Sequence, residues 1–335
     1  MPSLNPAVAE TRRAVRAALQ PFADGGEVIV ALSGGADSLA LAAATAFEAP
    51  KLGVRVASIT VDHGLQPGSA AAADSAAAAA AALGIESAVV RVTVDPAAPG
   101  GPEAAARDAR YRALTEAAAA RGADAVLLGH TLDDQAETVL LGLARGSGAT
   151  SLAGMAPVRR DDTTGLRWLR PFLTVRRQTT RAACAAAGLD PWDDPHNTDR
   201  RFARVRVRET VLPVLEAELG PGVAEALART AEQLREDAEA FAEMIHETIE
   251  DIVEPAEAGI AVSTAALAAN PPALRHRIIR HVVASEFGQS LTRSQTLEVA
   301  RLVTDWSGQG PIDLPGCRAA RRGGLIEFTA PPTGI

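Results

Sequence analysis

The first 130 residues alternate short apolar runs, rich in β-branched side chains, with longer alanine-rich stretches that close with glycine. Short runs of this kind predict buried strands, and the longer stretches predict helices. The predicted strands are Val28–Leu32, Val54–Val61, Ala88–Val94 and Ala125–Leu128, and the predicted helices are Asp37–Phe47, Ser69–Leu83 and Pro102–Arg121. Strands that alternate with helices of this length predict parallel crossover units, and hence a doubly wound, mostly parallel α/β sheet.

The pattern changes beyond residue 150 and becomes helical from about residue 202. Helices are predicted over Phe202–Leu219 and Val223–Ile252, followed by two or three more in residues 263–303 and short strands in 311–328. A length of 335 residues suits two domains rather than one core. We therefore predict an α/β domain over residues 1–215 and a smaller, mainly helical domain over residues 216–335, with a long helix as the connector.

The chain is mildly acidic, with 33 basic against 41 acidic residues and a net charge of −8, but its charge is segregated. Residues 159–208 hold twelve arginines against six aspartates, which leaves −14 on the rest of the chain. Any contact with nucleic acid is therefore expected to use a local basic patch. The two cysteines, Cys184 and Cys317, cannot form a disulfide framework or an all-cysteine metal site. Neither a secretory signal nor a membrane-length apolar run is found, so we expect a cytoplasmic location.

The sharpest motif is Ser33-Gly34-Gly35-Ala36-Asp37-Ser38, which follows the first predicted strand and opens a helix. The glycines allow a tight turn close to a ligand, and free amides at a helix start attract an anion. The Ser33 and Ser38 hydroxyls are further donors to phosphate, and the Asp37 carboxylate is suited to Mg²⁺. The structural alternative is a plain turn in which Asp37 or Ser38 caps the helix. The serines, the aspartate and the strand–loop–helix context together favour phosphate binding.

This loop resembles the pyrophosphate loop of the N-type ATP pyrophosphatases, the PP-loop superfamily. Further motifs make the chain similar to the tRNA(Ile)-lysidine synthase family, over roughly residues 28–215. They are Val61–Leu65, Ala106–Tyr111, Leu128–Thr138, Arg145–Gly148, Leu152–Met155, Arg170–Phe172 and Asp194–Asn197. The sequence departs from the family at His196, where a small residue is usual, and at Val205, where an asparagine is usual.

The resemblance implies a ligase that joins L-lysine to C2 of the wobble cytidine in the CAU anticodon of tRNA(Ile). ATP first adenylates the cytidine with release of pyrophosphate, and the lysine amine then displaces AMP, which changes codon specificity from AUG to AUA. The implied ATP-binding residues are Ser33, Gly34, Gly35, Ala36, Asp37, Ser38, Asp62 and His63, with Mg²⁺ at Asp37. The implied catalytic residues are Asp37, Arg110, His130 and Asp134, and the implied lysine-binding residues are Arg110, Asp133, Asp134 and Glu137.

The spacing of His130, Asp134 and Glu137 adds a prediction that rests on the residues themselves. Positions i, i+4 and i+7 share one face of a helix, and that helix would begin just beyond a parallel strand, where doubly wound sheets bind ligands. A structural alternative exists, because Thr131 with Asp134 three residues later is typical of a capping box, and Asp133 suits a first helical turn.

Arginines are concentrated at positions 200–208. On a helix, Arg201, Arg204 and Arg208 would share one face, and such a charge run is often plain solvated surface. With an anticodon as substrate we instead expect Arg201, Arg204, Arg206 and Arg208 to follow the tRNA backbone.

Three other functions stay open at this stage. A tRNA cytidine thiolase has a similar loop but needs paired cysteines for sulfur or an iron–sulfur cluster, and this chain lacks such a pair. Another synthetase with the same loop, or a non-catalytic nucleotide-binding protein, is also compatible with the loop alone. No membrane partner is expected, and a homodimer is left open.

Overall fold

The computed structural model describes residues 5–66, 68–95, 101–146, 148–256 and 259–331. Ser147, part of the Arg145–Gly148 motif, lies outside the described residues. The chain divides into two compact units, Met1–Arg235 and Glu236–Ile335. This division falls within a long helix, Val223–Ile252, whereas the boundary predicted near residue 215 stays a prediction.

The first unit is built on a six-stranded sheet with the order β3-β2-β1-β4-β6-β5. All neighbouring strands are parallel except the edge pair β5 and β6. The strands are β1 Glu27–Ala31, β2 Arg55–Asp62, β3 Glu86–Arg91, β4 Ala125–Leu127, β5 Val158–Arg160 and β6 Arg167–Leu169. The sheet is extended by β2 and β3 on the side of β1 and by β6 and β5 on the side of β4, so the strand order reverses between β1 and β4. A crevice is expected outside the carboxyl ends of these two strands.

Ten α-helices lie within the described residues of the first unit or, for the last, begin there and run into the second unit. They are α1 Pro6–Leu19, α2 Ala36–Glu48, α3 Ser69–Ala82, α4 Gly101–Arg121, α5 Leu132–Ala144, α6 Ala149–Leu152, α7 Arg177–Ala186, α8 Ala203–Arg206, α9 Leu212–Leu219 and α10 Val223–Ile252. Side chains alternate along a strand, so Val28 and Val30 of β1 pack on the face that carries α1, α2 and α7, while Ile29 packs with Leu114 of α4 on the other face. Burial on both faces explains the continuous apolar strands.

The predicted fold class is confirmed, including the first four strands and the three helices between them. Helix α7 was not predicted, because its sequence RQTTRAACAA has no large apolar residue to reveal a helical period. The connector helix predicted over Phe202–Leu219 is present as one uninterrupted helical run over residues 203–219. Residues Val207–Val211 form a π-helical turn between α8 and α9, and such turns are often found at functional sites.

In its described residues, the second unit combines the last part of α10 and three further helices with a five-stranded antiparallel sheet. The helices are α11 Thr264–Ala269, α12 Pro272–Phe287 and α13 Arg293–Thr304, and the strands are β7 Val253–Ala256, β8 Gly259–Ser263, β9 Ile312–Leu314, β10 Cys317–Arg322 and β11 Leu325–Thr329. Its own core includes Ile278, Val283 and Phe328. The short strands expected in residues 311–328 are present, whereas β7 and β8 were not predicted. Among the described residues, no helix is long and apolar enough to cross a membrane.

Candidate active site

The loop between β1 and α2 contains the serine-glycine motif. The Ser33 amide and hydroxyl donate to Ser38 Oγ at 3.2 and 3.1 Å, and Ser38 Oγ donates to the Gly35 carbonyl at 2.9 Å. Helix α2 begins after Gly35, which has no side chain to cap it, so the first helical amides are left for a ligand. The alternative that Asp37 or Ser38 merely caps the helix is therefore not what the structure contains.

Two glycines bring other segments close to this loop. Gly34 has φ +83°, which favours glycine, and its carbonyl accepts a hydrogen bond of 3.0 Å from the Trp192 amide. Gly129 follows β4, and a Cβ there would lie 3.2 Å from the Asp37 carbonyl and the Ser38 amide nitrogen. Gly129 thus allows the segment that carries His130 to contact the start of α2.

Asp37 lies in the first turn of α2, where its carboxylate meets two residues of α7. Thr180 Oγ1 donates to one carboxylate oxygen, and Arg177 Nε lies 3.6 Å from the other. Burial raises the pKa of Asp37 above its ordinary value, against the effects of Thr180 and Arg177. Burial thus opposes the charge of Asp37, and a cation at this carboxylate would favour it.

Helix α5 begins at Leu132, and Thr131 is its N-cap. Asp134 Oδ2 accepts from the Thr131 amide and hydroxyl, both at 2.8 Å, and the capping box anticipated as a structural alternative is present. The predicted helical face of His130, Asp134 and Glu137 is only partly right, because His130 precedes the helix. Asp134 and Glu137 do lie on one face of α5, one helical turn apart.

Arg177, the first residue of α7, joins the carboxylates of three separate positions. Its Nη2 donates to Asp134 Oδ1 at 2.7 Å and its Nη1 donates to Glu137 Oε1 at 3.0 Å, in addition to the approach to Asp37. Sequence reasoning missed Arg177, which it counted only as part of the arginine-rich segment. The sequence signal for Arg177 was its position shortly after the motif Arg170–Phe172. That motif follows strand β6, which was itself not predicted.

Glu137 is fully buried and is held by two further arginines. Arg208 Nε donates to Glu137 Oε1 at 2.7 Å, and Arg204 Nε lies 3.5 Å from Glu137 Oε2. The predicted common face of Arg201, Arg204 and Arg208 is not found, because Arg201 precedes α8 and pairs with Asp199 at 2.6 Å. Arg206 donates to the carbonyls of residues 200 and 201, so all four arginines have partners within the protein.

A second group of predicted residues lies around the ends of β2 and β4. His63 Nδ1, Arg110 Nε and His130 Nδ1 are buried and have no hydrogen-bond partner within the described parts of the chain. Burial lowers the pKa of His130 to about 3, and nearby Arg170 and Arg110 act in the same direction. Burial also lowers the pKa of His63, with Arg110 the next cause. Both imidazoles are therefore neutral near pH 7, and the unpaired atoms suit a polar ligand.

Asp62 is buried at the end of β2, where Oδ1 accepts from the Gly64 amide at 3.0 Å. Burial opposes its charge, but hydrogen bonds from Ser69 and Gly64 outweigh that effect and lower the pKa of Asp62. This carboxylate therefore holds the turn that contains His63.

Asp133 connects α5 to α7. Its Oδ2 accepts from the Arg177 amide at 2.7 Å, and its Oδ1 lies 3.2 Å from Arg176 Nη2. Beside it is a cavity of about 150 Å³. The cavity is lined by Asp133, Glu137, Arg176, Arg177, Arg208, Leu212, Pro213, Glu216 and Ala224. Two of the predicted lysine-binding residues, Asp133 and Glu137, thus share one cavity, which Arg110 does not line.

Val205, the second departure from the family pattern, is buried in α8 and has no polar atom to offer a ligand. His196 lies in the short 3₁₀ turn Pro195–Thr198, and its ring centroid is 5.4 Å from that of Phe202. Within the described residues, no group of three or more histidine, cysteine or acidic side chains could hold a metal ion. Cys184 and Cys317 are buried and free.

The comparison with known families agrees with both units. The PP-loop domain matches residues 8–215, and the TilS substrate binding domain matches residues 263–325. Among solved structures, the U34-tRNA thiolase NcsA from Methanococcus maripaludis, with its [4Fe-4S] cluster, has a TM-score of 0.60 over 69% of this chain and 80% of that chain. At 22% identity, this similarity shows a shared fold alone.

Relatives of known identity resemble the chain over nearly its whole length. A tRNA(Ile)-lysidine synthase from Leifsonia xyli subsp. xyli is 61% identical over 92% of this chain and 91% of that protein. One from Thermobifida fusca is 52% identical over 95% of each. These matches confirm the resemblance carried by the serine-glycine loop and the later motifs. The chain belongs to the tRNA(Ile)-lysidine synthase family.

Proposed function

We propose that this chain attaches L-lysine to C2 of the wobble cytidine of a tRNA(Ile) with a CAU anticodon, at the expense of ATP. In the first step, the cytidine oxygen at C2 attacks the α-phosphate of ATP and pyrophosphate leaves. In the second, the lysine ε-amine attacks C2, AMP leaves with the former cytidine oxygen, and the amine loses a proton. The observation that carries the proposal is the convergence of Asp37, Asp134 and Glu137 beside an uncapped phosphate loop.

ATP is assigned to the loop from Ser33 to Ser38. The free amides at the start of α2 and the two serine hydroxyls would hold the phosphates that leave as pyrophosphate. Since no multi-ligand metal cluster exists among the described residues, a Mg²⁺ ion here would take most of its ligands from ATP and water, which is its usual habit. Asp37 fits the one protein ligand such an ion needs, and the ion would neutralise charge on the leaving pyrophosphate.

Lysine is assigned to the carboxylates of α5. The amine would bind at Asp134 and Glu137, with Asp133 at the adjoining cavity. Arg177 and Arg208 now contact these carboxylates, so the amine has to share them with, or displace, a guanidinium. Arg110, whose buried Nε lacks a partner, is assigned to the lysine carboxylate or a phosphate.

His130 and His63 are assigned to the nucleotides. Because burial keeps His130 neutral, it is suited to hydrogen bonding with the cytidine or the adenylate rather than to electrostatic binding of phosphate. In the arginine-rich segment of residues 200–208, the proposed tRNA contacts remain Arg201, Arg204, Arg206 and Arg208. The second unit, which carries the substrate binding domain, is assigned to recognising the remainder of the tRNA.

The direct test is ATP-dependent attachment of labelled lysine to an unmodified tRNA(Ile) transcript with a CAU anticodon. Asp37→Asn should abolish pyrophosphate release, because it removes a metal-binding charge with little change in shape. The control Asp74→Asn removes an exposed carboxylate of α3 and should retain turnover. Failure of the wild-type protein to attach lysine would refute the function, and near-normal turnover of Asp37→Asn would refute the role of Asp37.

A further inference from the structure

Three guanidinium groups surround one pair of aromatic rings in the first unit. The ring centroids of Tyr111 and Trp168 are 4.7 Å apart. The Cζ atoms of Arg107, Arg110 and Arg159 lie 5.3, 5.9 and 5.9 Å from the Tyr111 centroid, and that of Arg159 also lies 5.7 Å from Trp168. The rings thus gather cations from helix α4 and from the edge strand β5.

A fourth cation, Arg170, is buried at the end of β6. Its Nη1 donates to the Ala156 carbonyl at 2.8 Å, while its Nε has no partner within the described residues. Burial lowers the pKa of Arg170, and Arg159 and Arg107 add to that effect because their positive charges are close. We name Arg107, Arg159 and Arg170 the arginine patch.

None of the patch residues, nor Arg110, forms an ion pair with any residue that the structure describes. The arginines predicted from sequence to contact tRNA behave differently: Arg204 and Arg208 are held by Glu137, and Arg201 by Asp199. Asp161 is the carboxylate on which the charge of Arg159 acts, but it forms no ion pair with the patch. Cations that repel one another and have no ion-pair partner favour an anionic ligand. The patch is therefore better suited than residues 200–208 to an external anion.

The patch lies at the edge of the sheet where the chemistry is assigned. Arg170 directly follows β6, which pairs with β4, and His130 comes shortly after β4. Arg107 is in the first half of α4, a crossover helix whose start lies at the carboxyl edge of a parallel sheet. Strand β6 is two strands from β1 and its phosphate loop, roughly 10 Å away in the hydrogen-bonding direction. Because of this separation, the phosphate loop and the arginine patch suit two different phosphate-bearing molecules.

We infer that the arginine patch binds the sugar–phosphate backbone of the RNA strand whose base is modified, and so orients that base toward His130. The inference rests on the proposed function, because it takes the substrate to be RNA. Exposed Arg107 and Arg159 would contact phosphates directly, while buried Arg170 would add charge from behind. Such contacts position a nucleic acid without reading its sequence.

The test compares two double variants of the full-length protein. Arg107→Gln/Arg159→Gln removes the exposed half of the patch. Arg112→Gln/Arg160→Gln removes equal charge from exposed neighbours on the same helix and the same strand, and Arg160 points to the opposite face of β5 from Arg159. Because net charge changes equally, a difference between the two variants reports local contact. Melting curves by circular dichroism establish that both remain folded.

Affinity for a tRNA(Ile) transcript is measured across a salt series, and affinity for ATP is measured beside it. The patch variant should bind the transcript about tenfold more weakly than the control variant at 0.15 M salt, with a log–log salt slope shallower by about 1.4, for two contacts to a single strand. ATP affinity should be equal in both.

Equal transcript affinity and slope in the two variants would overturn the inference. A loss of ATP affinity confined to the patch variant would overturn it as well, by assigning the patch to the ATP phosphates. Lysine attachment by the wild type is scored separately, so failure of the proposed function is distinguishable from failure of the patch.

Discussion

Replacing Arg177 by methionine tests the three-carboxylate contact most directly. The variant keeps an unbranched side chain but leaves Asp134 and Glu137 without one of their cations. Removing one partner of a buried ion pair typically costs about 3–5 kcal/mol. Arg208 still holds Glu137 at 2.7 Å, so we expect the lower end, about 3 kcal/mol in the free energy of unfolding. For a unit of this size, that lowers Tm by roughly 6–12 °C in a calorimetric scan.

Asp134 gives this effect a pH dependence. Burial opposes the charge of Asp134, but Arg177 leads the interactions that outweigh burial and lower its pKa below 3.8. A carboxylate with a lowered pKa stabilises the fold above its unfolded value and loses that contribution as the pH falls through its folded value. The difference in the free energy of unfolding between wild type and Arg177→Met should therefore be largest at pH 7, and it should decrease as the pH falls toward and below 3.8.

The neighbouring Arg176 provides a matched control. It pairs with Asp133 at 3.2 Å and Glu225 at 2.8 Å, but its side chain is 38% exposed. Solvent-exposed ion pairs contribute about 0–1 kcal/mol, so Arg176→Met should change stability by less than about 1 kcal/mol. Equal losses in both variants, or a loss for Arg177→Met that does not change between pH 7 and pH 3.5, would show that packing rather than charge explains Arg177.

Three further substitutions are predicted from the same contacts. Asp134→Asn should raise the KM for lysine about ten- to a hundred-fold in steady-state kinetics, since it removes a charged contact of about 1.5–3 kcal/mol. The ATP dissociation constant, measured by titration, should stay nearly unchanged. A weaker affinity for ATP with an unchanged KM for lysine would contradict the assignment. Val205→Asn should cost about 1–3 kcal/mol in urea unfolding, because it buries an amide where the wild type buries an apolar side chain, and an unchanged unfolding midpoint would contradict this. His130→Gln should make the free energy of unfolding less dependent on pH. Folding lowers the pKa of His130 from 6.5 to about 3, so the wild-type protein loses stability as the pH falls below 6.5. Equal unfolding curves for the two proteins between pH 7 and pH 4 would contradict this.

The sequence predicted features that depend on neighbours along the chain. The loop from Ser33 to Ser38 is local, because one strand end and one helix start determine it, and its position at β1 follows from the alternation of strands and helices. The short strands β5 and β6 were beyond sequence reasoning, since three residues carry too little periodicity to distinguish a strand from a loop.

Contacts between distant segments were the harder part of the site. Arg177 meets Asp37 and Asp134 across separations of more than forty residues, and neither spacing nor composition encodes that meeting. The same limit applies to Arg204 and Arg208: their helical spacing indicated an exposed stripe, whereas a buried Glu137 on another helix turned them inward. A run of charged residues therefore predicts a solvated face only when no buried residue of opposite charge lies close enough to pair with it.

Asp134 shows why a structural and a functional interpretation of one residue need not exclude each other. Its Oδ2 is used by the Thr131 amide and hydroxyl, which fixes the start of α5 and the orientation of the carboxylate. Its Oδ1 is thereby directed at Arg177, in the place assigned to the lysine amine. A capping box therefore supplies the rigidity that a binding carboxylate needs, because the oxygen that contacts a ligand cannot rotate away without breaking two hydrogen bonds. The same local pattern that favoured a purely structural role would also prepare Asp134 for the lysine binding that we propose for it.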